Sequence, residues 1–277
     1  MLRGFYAAAS GMIAQQRVTE YLTNNLSNAN TPGYKGEQAS LRSFPELLMN
    51  RMETNNIPQK NMNQKGSVLG GLNTGVYMQE TTPIFTQGDL QQTNKNTDIA
   101  IQERVIPFNT AAKTKGALFF ELQNPDGTTR YTRNGNFTLD QNGYLTTNSG
   151  LYVLGENNKR IQVQSSDFKM LEDGTITENG KQVGRLKVAF SDNPNTLVKE
   201  GEGLFKTSNG KSLPTASNNN RIAFSVNQGF IERSNVDVTQ TYTELMSAYR
   251  TFESNQKVLQ AYDRSLDKAA NEIGRLR

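Results

Sequence analysis

The stretch that decides the fold runs from Val238 to Ile273 and reads VTQTYTELMSAYRTFESNQKVLQAYDRSLDKAANEI. An apolar residue returns at every seventh position of this stretch, at Val238, Leu245, Phe252, Leu259, Leu266 and Ile273. We place Tyr242, Tyr249, Gln256, Asp263 and Ala270 at the companion position of the same repeat. Seven-residue spacing without an intervening proline is typical of a helix whose apolar seam packs against another helix. The sequence therefore predicts a long C-terminal helix within residues 231–277.

The N-terminus carries a similar but weaker repeat. Phe5, Met12, Thr19 and Leu26 are seven residues apart, with Leu2, Ala9 and Gln16 at the companion position. The breaker cluster at residues 28–33, NANTPG, predicts that this helix ends near Asn28. We expect residues 1–35 to form a helix and turn that pair with the C-terminal helix as a coiled coil. The residues expected to form this seam and to mediate assembly are Leu2, Phe5, Met12, Leu26, Leu245, Tyr249, Phe252, Leu259, Leu266 and Ile273.

Residues 36–97 are rich in Asn, Gln, Thr and Met and show little periodicity. This composition indicates an extended or loop-like linker arm, of which residues 54–71 are either a loop or an arm that becomes ordered only on contact. Within it, we expect a short helix from Leu41 to Met52 and a loop from Thr54 to Gly71.

The pattern changes to β between residues 98 and 230. Asn-Gly or Asp-Gly pairs, which favour tight hairpin turns, begin at Asp126, Asn134, Asn142, Asp173, Asn179 and Asn209. The short runs between them predict strands at 117–122, 130–132, 137–139, 151–154, 161–163 and 184–190. We therefore expect an α+β chain, mainly β, with a central antiparallel β domain between two long terminal helices.

The composition argues against several classes of function. The chain has 277 residues, with 30 basic and 26 acidic side chains interspersed, whereas nucleic-acid binders usually concentrate cations on one patch. It contains no cysteine and no histidine, so disulfides, thiolate nucleophiles and the commonest zinc, copper and haem ligand are missing. No apolar run approaches the roughly 20 residues that span a bilayer. We expect no nucleic-acid partner, no stable membrane insertion, no metal or cofactor, and no catalytic site.

Several stretches together resemble one known family. The N-terminal stretches read AASGM at 8–12 and NNLSNANTPGYK at 24–35, and the central ones read YTRNGNF at 131–137 and GYL at 143–145. Further stretches run from Gly184 to Phe190 and from Gly203 to Phe205. The C-terminal stretches read QGFIERSNV at 228–236 and YRTFESNQKVLQ at 249–260. In this order they resemble the bacterial flagellar rod and hook proteins, and the length and central motifs look most like the rod subunits.

The resemblance implies a function as well as a fold. It implies a subunit that passes through the flagellar type III export apparatus and polymerises into a helical homo-oligomer with other rod and hook proteins. Such a polymer is the drive shaft that transmits torque in the basal body of the cell envelope. The motif residues carried over from the family are Asn24, Asn25, Asn28, Asn30, Thr31, Pro32, Gly33, Tyr34, Lys35, Ser234, Asn235 and Val236. The cluster from Asn24 to Lys35 is also typical of a polar helix end, but the full set of motifs favours an assembly role.

Two departures from the family pattern leave the subunit class open. An insertion, Gln102 to Lys115, separates the Asp98-Ile99-Ala100-Ile101 strand from the strand that begins at Gly116. Residues 239–242 read TQTY where acidic residues and methionine are more typical of the family. A hook subunit therefore remains an alternative to a rod subunit.

An alternative from another class is a secreted β protein that binds or hydrolyses cell wall. A glycosidase needs only paired carboxylates, for which Asp126, Asp140, Asp167 and Asp173 are the candidates. Asp126 and Asp173 stand in Asp-Gly turns, where aspartate is favoured for backbone reasons. The turn interpretation is therefore preferred.

Overall fold

The computed structural model describes residues 2–50 and 68–273 and has an α+β fold, mainly β, as predicted. The chain divides into two compact units. The helical unit contains residues 1–24, 38–81 and 239–277, and the β unit contains residues 25–37 and 82–238. The four-part division at residues 35, 97 and 230 stays a prediction.

Two long helices dominate the helical unit. Helix α1 spans Leu2–Ser27 and helix α2 spans Val238–Lys268, continuing as a π-helical turn at Ala269–Ile273. The predicted end of α1 near Asn28 is confirmed, because the chain turns there at Asn28–Asn30. No helix among residues 2–50 and 68–273 is long and apolar enough to cross a membrane.

Side chains of α1 and α2 contact each other in antiparallel order. The ring of Phe5 stands edge-on to the ring of Tyr262, with centroids 6.5 Å apart. A Cβ placed on Gly11 would lie 2.9 Å from the side-chain amide nitrogen of Asn255. Farther along α1, burial and then the negative charge of Glu244 raise the pKa of Tyr21. As residue numbers rise along α1, the numbers of their partners on α2 fall.

The inner face of α2 follows a heptad, but its companion position differs from our expectation. Leu245, Phe252 and Leu259 are half-buried, as the repeat indicates. The residues three positions after each of them, Ala248, Asn255 and Tyr262, are buried or half-buried too. Tyr242 and Tyr249, four positions after a repeat residue, are 55% and 57% exposed. The companion position is therefore one residue earlier than predicted, because the two apolar positions of a heptad are separated alternately by three and four residues.

The other predicted seam residues differ from one another in burial. Phe5, Met12 and Leu26 are half-buried, whereas Leu266 is exposed. The most buried positions of α1 within the helical unit are instead Ala8, Ala14 and Leu22. The side chains of Leu2 and Ile273 lie outside the described residues.

The described residues of the arm form strands and the segments that connect them, without a helix. Its strands are β1 (Glu37–Ser43), β2 (Leu47–Asn50), β3 (Val68–Leu72) and β4 (Val76–Pro83). Strand β1 pairs with β4, and β2 pairs antiparallel with β3. The expected helix from Leu41 is therefore wrong as far as residue 50, because the backbone bonds to a partner strand that local composition does not reveal. The end of that segment and residues 54–67 of the expected loop lie outside the described residues.

The β unit contains the other strands. In chain order they are β5 (Leu90–Gln92), β6 (Ile99–Val105), β7 (Phe108–Asn109), β8 (Thr114–Lys115), β9 (Ala117–Gln123), β10 (Thr129–Thr132), β11 (Phe137–Leu139), β12 (Leu145–Thr147), β13 (Tyr152–Val153), β14 (Lys169–Met170), β15 (Thr175–Glu178), β16 (Lys181–Arg185), β17 (Val188–Ser191), β18 (Leu197–Lys199), β19 (Leu204–Thr207), β20 (Ala223–Gln228) and β21 (Phe230–Glu232). Short 3-10 turns occur at Pro194–Thr196 and Ala216–Asn218. The main sheet has the order β11-β12-β13-β9-β10-β19-β18, and β17 also pairs with β9.

Strand β9 lies at the centre of the β unit and is buried on both faces. Leu118, Phe120 and Leu122 face the larger apolar core. Ala117 and Phe119 face a second cluster on the opposite side of the strand. This alternation follows from the two-residue period of a strand, and it explains why the run from 117 to 122 is almost continuously apolar.

The turn signals located most of the hairpins. The glycines of the Asn-Gly pairs at 142–143, 179–180 and 209–210 all have positive φ. The strand at 137–139 has the predicted bounds, whereas residues 161–163 form only part of an isolated bridge at Gln162. Gly135, in the fourth Asn-Gly pair, differs from these three glycines, since its φ is not positive. A Cβ there would lie 1.6 Å from the carbonyl oxygen of Ile99, so this glycine permits close backbone contact.

Candidate functional site: a buried ionic junction of three motifs

One residue from each of the three motif regions meets in the interior of the β unit. Lys35 ends the N-terminal motif, Arg133 belongs to the central motif, and Glu232 belongs to the C-terminal motif. Glu103, from the insertion, is the fourth member. We call these four side chains the motif junction.

The motif junction is held by short ion pairs. Lys35 Nζ lies 2.6 Å from Glu232 Oε1, and Arg133 Nη2 lies 2.7 Å from Glu232 Oε2. Arg133 Nη1 lies 3.0 Å from Glu103 Oε1 and also donates to the carbonyl oxygen of Leu118 at 2.8 Å. Only 1% of the side-chain surface of Lys35, Arg133 and Glu232 is exposed. The two cations and two carboxylates balance, as burial of charge in a protein interior requires.

Backbone hydrogen bonds fix the chain segments around these charges. The amide of Gly33 donates to the carbonyl oxygen of Glu232 at 2.7 Å. The amide of Gly88 donates to Glu232 Oε1 at 3.0 Å, and Lys35 Nζ donates to the carbonyl oxygen of Thr86 at 2.7 Å. The residues that follow α1 are thereby tied to those that precede α2 and to the strands between them.

Burial and nearby charges shift the pKa values of Lys35 and Glu232. Burial, followed by the nearby charge of Arg133, lowers the pKa of Lys35 to about 8 despite its pair with Glu232. Burial alone would raise the pKa of Glu232, but the charges of Arg133 and Lys35 outweigh it and leave that pKa below its usual value. Glu232 is therefore the anion around which the two cations are organised.

Gly33 allows the N-terminal motif to lie directly on the central motif. Its φ is +69°, in the left-handed region that favours glycine. A Cβ at this position would lie 2.4 Å from the backbone nitrogen of Asn134 and 2.5 Å from the carbonyl carbon of Arg133. Both the conformation and the contact therefore require the absence of a side chain.

Two asparagines of the motifs bridge separate backbone segments. Asn25 is buried, and its side chain bonds to both the amide and the carbonyl of Glu37. The Tyr34 hydroxyl donates to Asn25 Oδ1 at 3.1 Å, and burial followed by the charge of Glu37 raises the pKa of Tyr34 to about 12. Asn235 accepts from the Gly36 amide at 2.7 Å and donates to the Ile84 carbonyl at 2.7 Å.

Comparisons with known proteins agree with this convergence of motifs. Residues 5–35 match the family described as flagella basal body rod protein. Residues 114–181 match the flagellar hook protein FlgE/F/G D1 domain, and residues 227–272 match the flagellar basal body rod FlgEFG protein C-terminal family. The chain is 48% identical to the flagellar hook-basal body complex protein FlhO of Bacillus subtilis over 276 residues, covering all of both chains.

The chain belongs to the flagellar rod and hook protein family. It is also 31% identical to the flagellar basal-body rod protein FlgG of Borreliella burgdorferi, over 98% of each chain. A second Bacillus subtilis protein, the flagellar hook-basal body complex protein FlhP, is 28% identical over 96% of this chain. The matched families are described as proteins of the flagellar hook and the basal body rod, which are structural components of the flagellum.

The other family-motif residues differ in exposure. Asn24, Asn30 and Thr31 are exposed, and Asn28 and Pro32 are half-buried. Asn28 accepts from the Thr31 hydroxyl at 3.2 Å, an ordinary helix-end contact. Ser234 Oγ accepts from the amide of Val236 at 3.3 Å. The polar helix-end interpretation thus fits residues 28–31, whereas Lys35 belongs to the motif junction and Gly33 contacts the backbone of residues 133 and 232 beside it.

Sequence reasoning identified Lys35 but missed its three partners. Arg133 and Glu232 stand within motifs that we recognised. Glu232 follows the apolar strand residues Phe230 and Ile231, and a charged residue at that place was the available signal for a buried ion pair. Arg133 follows the mainly polar strand TRYT and gave no such signal. Glu103 had no comparable signal because it lies in the insertion, which continues β6 and forms the β7–β8 hairpin.

Two of the aspartates considered for a glycosidase, Asp140 and Asp173, accept hydrogen bonds from turn amides. Asp140 Oδ1 accepts from the amides of Asn142 and Tyr144, both at 2.8 Å. Asp173 accepts from the amide of Thr175, which, ahead of its other contacts, lowers its pKa. Within residues 2–50 and 68–273, no three acidic side chains are grouped in a way that would hold a metal ion.

Proposed function

We propose that this protein is a structural subunit of the flagellar rod in the basal body, a helical polymer that transmits torque for swimming. The observation that carries the proposal is the motif junction, in which the N-terminal, central and C-terminal family motifs meet through buried ion pairs. The match to rod proteins over nearly the whole chain supports it. A hook subunit is the alternative, because the relative at 48% identity is named for the hook-basal body complex without a stated position.

The motif junction has a mechanical role in this proposal. It ties the residues that leave α1 to the residues that enter α2 at one buried point of the β unit. A torsional load on one terminal segment is then shared by the other terminal segment and by the strands around them. Ion pairs excluded from water suit this role because solvent and salt screen them little.

We infer that α1 and α2 pair as an antiparallel coiled coil and that neighbouring subunits complete the layer. The contact of Phe5 with Tyr262 and the heptad face of α2 support the pairing within the chain. Apolar side chains remain on the outer faces, with Tyr6 and Ile13 exposed on α1 and Tyr249 exposed on α2. Other copies of the chain, or other rod and hook proteins, bury these side chains in the polymer.

Export through the flagellar type III apparatus follows from the same proposal. The absence of cysteine suits a chain that leaves the cell unfolded, since no thiol is available for stray cross-linking. The proposed organisation keeps residues 1–35 and 231–277 as terminal assembly segments, 36–97 as an arm and 98–230 as the β domain.

A deletion strain tests the position of the subunit. We expect non-motile cells whose basal bodies, seen by electron microscopy, carry a rod that stops before the hook. A complete rod that lacks only its hook would instead support the hook alternative. Normal flagella together with wall-hydrolysing activity of the purified protein would overturn both.

A substitution on the helix seam tests the pairing within the same strain. Leu259→Asp places a charge on the half-buried face of α2, and we expect loss of rod incorporation while the β unit stays folded. Gln260→Asp, on the exposed face one residue later, is the matched control and should swim normally. Normal swimming of the Leu259→Asp strain would contradict the coiled-coil proposal.

A further inference from the structure

A second buried charge in the β unit has an unusual set of neighbours. Lys187 Nζ donates to Glu121 Oε1 at 2.9 Å and to the side-chain oxygen of Asn158 at 2.6 Å. Only 9% of the Lys187 side chain and 3% of the Glu121 side chain are exposed. An amine, a carboxylate and a carboxamide thus meet at one partly enclosed point, which the motif junction does not include.

Three adjacent backbone segments hold these side chains in place. Glu121 lies on β9, where its carbonyl accepts from the amide of Leu154 at 3.0 Å. The carbonyl of Leu154 accepts in turn from the amide of Lys187 at 3.0 Å. Asn158 closes the turn after Leu154, with φ +55° and its amide bonded to the carbonyl of Gly155. Its carboxamide is therefore presented to Lys187 by a fixed turn.

One carboxylate oxygen of Glu121 takes no part in this ion pair. Its Oε2 atom is buried and has no hydrogen-bond partner among the described residues. An unpaired buried carboxylate oxygen is costly in an interior whose polar groups are otherwise bonded. A carboxylate with one oxygen on the amine and the other unengaged can take up a proton and return it to another group.

We propose that Lys187 and Asn158 are joined by an intramolecular isopeptide bond, with Glu121 as the proton relay. The neutral Lys187 amine attacks Cγ of Asn158, forming the new C–N bond, and the carboxamide C–N bond breaks. The Lys187 ammonium group loses two protons in this step. Glu121 takes them up and transfers them to the nitrogen that departs from Asn158. The net change converts an ammonium and a carboxamide into a secondary amide and an ammonium ion, with no oxidant or reductant.

The surroundings favour each part of this step. Glu121 Oε1 already accepts from Lys187 Nζ at 2.9 Å, so the carboxylate lies where it can receive a proton from the amine. Asn158 is exposed at residue level, which gives the released ammonia a path to solvent. Lys187 Nζ lies 2.6 Å from Asn158 Oδ1, so the amine is held beside the carbonyl group that it attacks.

The buried lysine of the motif junction provides a contrast. Lys35 Nζ donates to a carboxylate and to the backbone carbonyl of Thr86. Glu232 is held ionised by Arg133 and Lys35, and an ionised carboxylate is a poor acceptor for an amine nucleophile. The same chemistry is therefore expected at Lys187 and not at Lys35.

The bond would connect two segments of the β unit covalently. It closes the chain between residues 158 and 187 into a loop, which limits the freedom of the unfolded state as a disulfide does. A chain without cysteine would thereby gain a cross-link that reducing agents do not break. The inference concerns the folded β unit alone and does not depend on the proposed rod function.

Intact-mass spectrometry of the denatured full-length protein tests the bond. We expect a mass lower than that of the sequence by one molecule of ammonia, and a branched peptide that joins Asn158 to Lys187 after digestion. Lys187→Arg should restore the full mass, because the guanidinium group is not a nucleophile at neutral pH. Glu121→Gln should restore it as well, since the amide cannot relay protons.

The design separates this bond from cyclisation of asparagine at an Asn-Gly pair, which also releases ammonia. A cyclised asparagine would persist in the Lys187→Arg variant, and that outcome would overturn the proposal. A wild-type protein with the full sequence mass would overturn it as well. The branched peptide is measured on wild-type protein, so the result does not depend on whether the variants fold.

Discussion

At the scale of single residues, Arg133 is the side chain on which the motif junction depends. It contacts the carboxylates of both Glu103 and Glu232, which are buried and receive no comparable support from water. Removal of its charge leaves Glu232 with Lys35 and Glu103 with the half-exposed Lys115, at 3.5 Å, as their cationic partners. The loss of stability comes mainly from buried carboxylates that have lost their counter-charge, and not from the lost attraction itself.

We therefore expect Arg133→Gln to lower the free energy of unfolding of the β unit by about 3–5 kcal/mol. Arg104→Gln is the matched control, because its pair with Glu172 is 56% and 76% exposed and should contribute no more than about 1 kcal/mol. Urea unfolding followed by circular dichroism measures both. Equal losses for the two variants would contradict the role assigned to the motif junction.

Glu232 should make the β unit sensitive to acid. Its pKa in the folded state lies below the ordinary value of 4.5, so the unfolded chain takes up the proton first as the pH falls. The contribution of Glu232 is thus fully present above pH 4.5 and is lost as the pH drops through the folded-state pKa. We expect the urea midpoint to fall in this range, and Glu232→Gln to reduce the slope. A slope that the variant leaves unchanged would assign the acid sensitivity to other carboxylates.

Gly33 meets two requirements for glycine at once, a positive φ and close contact with another backbone segment. Gly33→Ala introduces both an unfavourable positive φ and a collision with the backbone of residues 133–134. Gly127→Ala has a similar φ of +80° but no atom within 4 Å of the new Cβ, so it should cost only the backbone strain of about 1–3 kcal/mol. We expect the melting temperature to fall clearly further for Gly33→Ala. Equal shifts in melting temperature would mean that the backbones of residues 33 and 133 can move apart without loss of stability.

Contacts between single residues that are distant in the chain could not be predicted from the sequence. The motif at 24–35 identified Lys35, but its partners Arg133 and Glu232 are about 100 and 200 positions away in the chain. No periodicity connects residues at such separations, since their contact is created by the fold. Turn aspartates such as Asp173 were assigned correctly because their hydrogen bonds reach only two residues along the chain.

At the scale of elements, local signals succeeded where an element is determined by its own residues. Breaker residues located the end of α1, and Asn-Gly pairs located hairpins of the β unit. They failed at residues 41–50, where the strand depends on pairing with residues beyond position 68. They also placed Tyr249 on the inner face of α2, because the seven-residue repeat alone leaves its companion position undetermined.

The absence of cysteine allows a direct test of helix register. A chain with Gly11→Cys and Asn255→Cys should form a disulfide on mild oxidation, because a Cβ at residue 11 already lies 3.5 Å from Cγ of Asn255. Gly11→Cys combined with Tyr262→Cys is displaced by one heptad, about 10 Å along α2, and should remain reduced. Non-reducing electrophoresis separates the two forms. Equal cross-linking of both pairs would exclude a fixed antiparallel register.

At the scale of the whole molecule, the distribution of apolar surface indicates an assembling subunit. The mean hydropathy is only −0.66, and the large apolar cores described above lie in the β unit. The long helices keep aromatic side chains exposed at Tyr6, Tyr242 and Tyr249. These exposed aromatic side chains are the reason for proposing contacts between copies of the chain.

Tyr249→Ser should therefore abolish swimming without destabilising the isolated protein. In the single chain this ring is 57% exposed, so its loss should change the free energy of unfolding by no more than about 0.5 kcal/mol. In the polymer we expect the ring to be buried by a neighbouring subunit, so its loss should prevent rod assembly. Soft-agar motility and electron microscopy of basal bodies measure the effect, and urea unfolding measures the stability of the chain.

Gln256→Ser is the matched control, because residue 256 lies one heptad after Tyr249 on the same exposed face and is polar. It should leave both swimming and stability unchanged. Loss of swimming in the Tyr249→Ser strain together with a large loss of stability would mean that the ring supports its own chain. Normal swimming of that strain would mean that this face of α2 is not an interface, and the outer aromatic residues would then need another explanation.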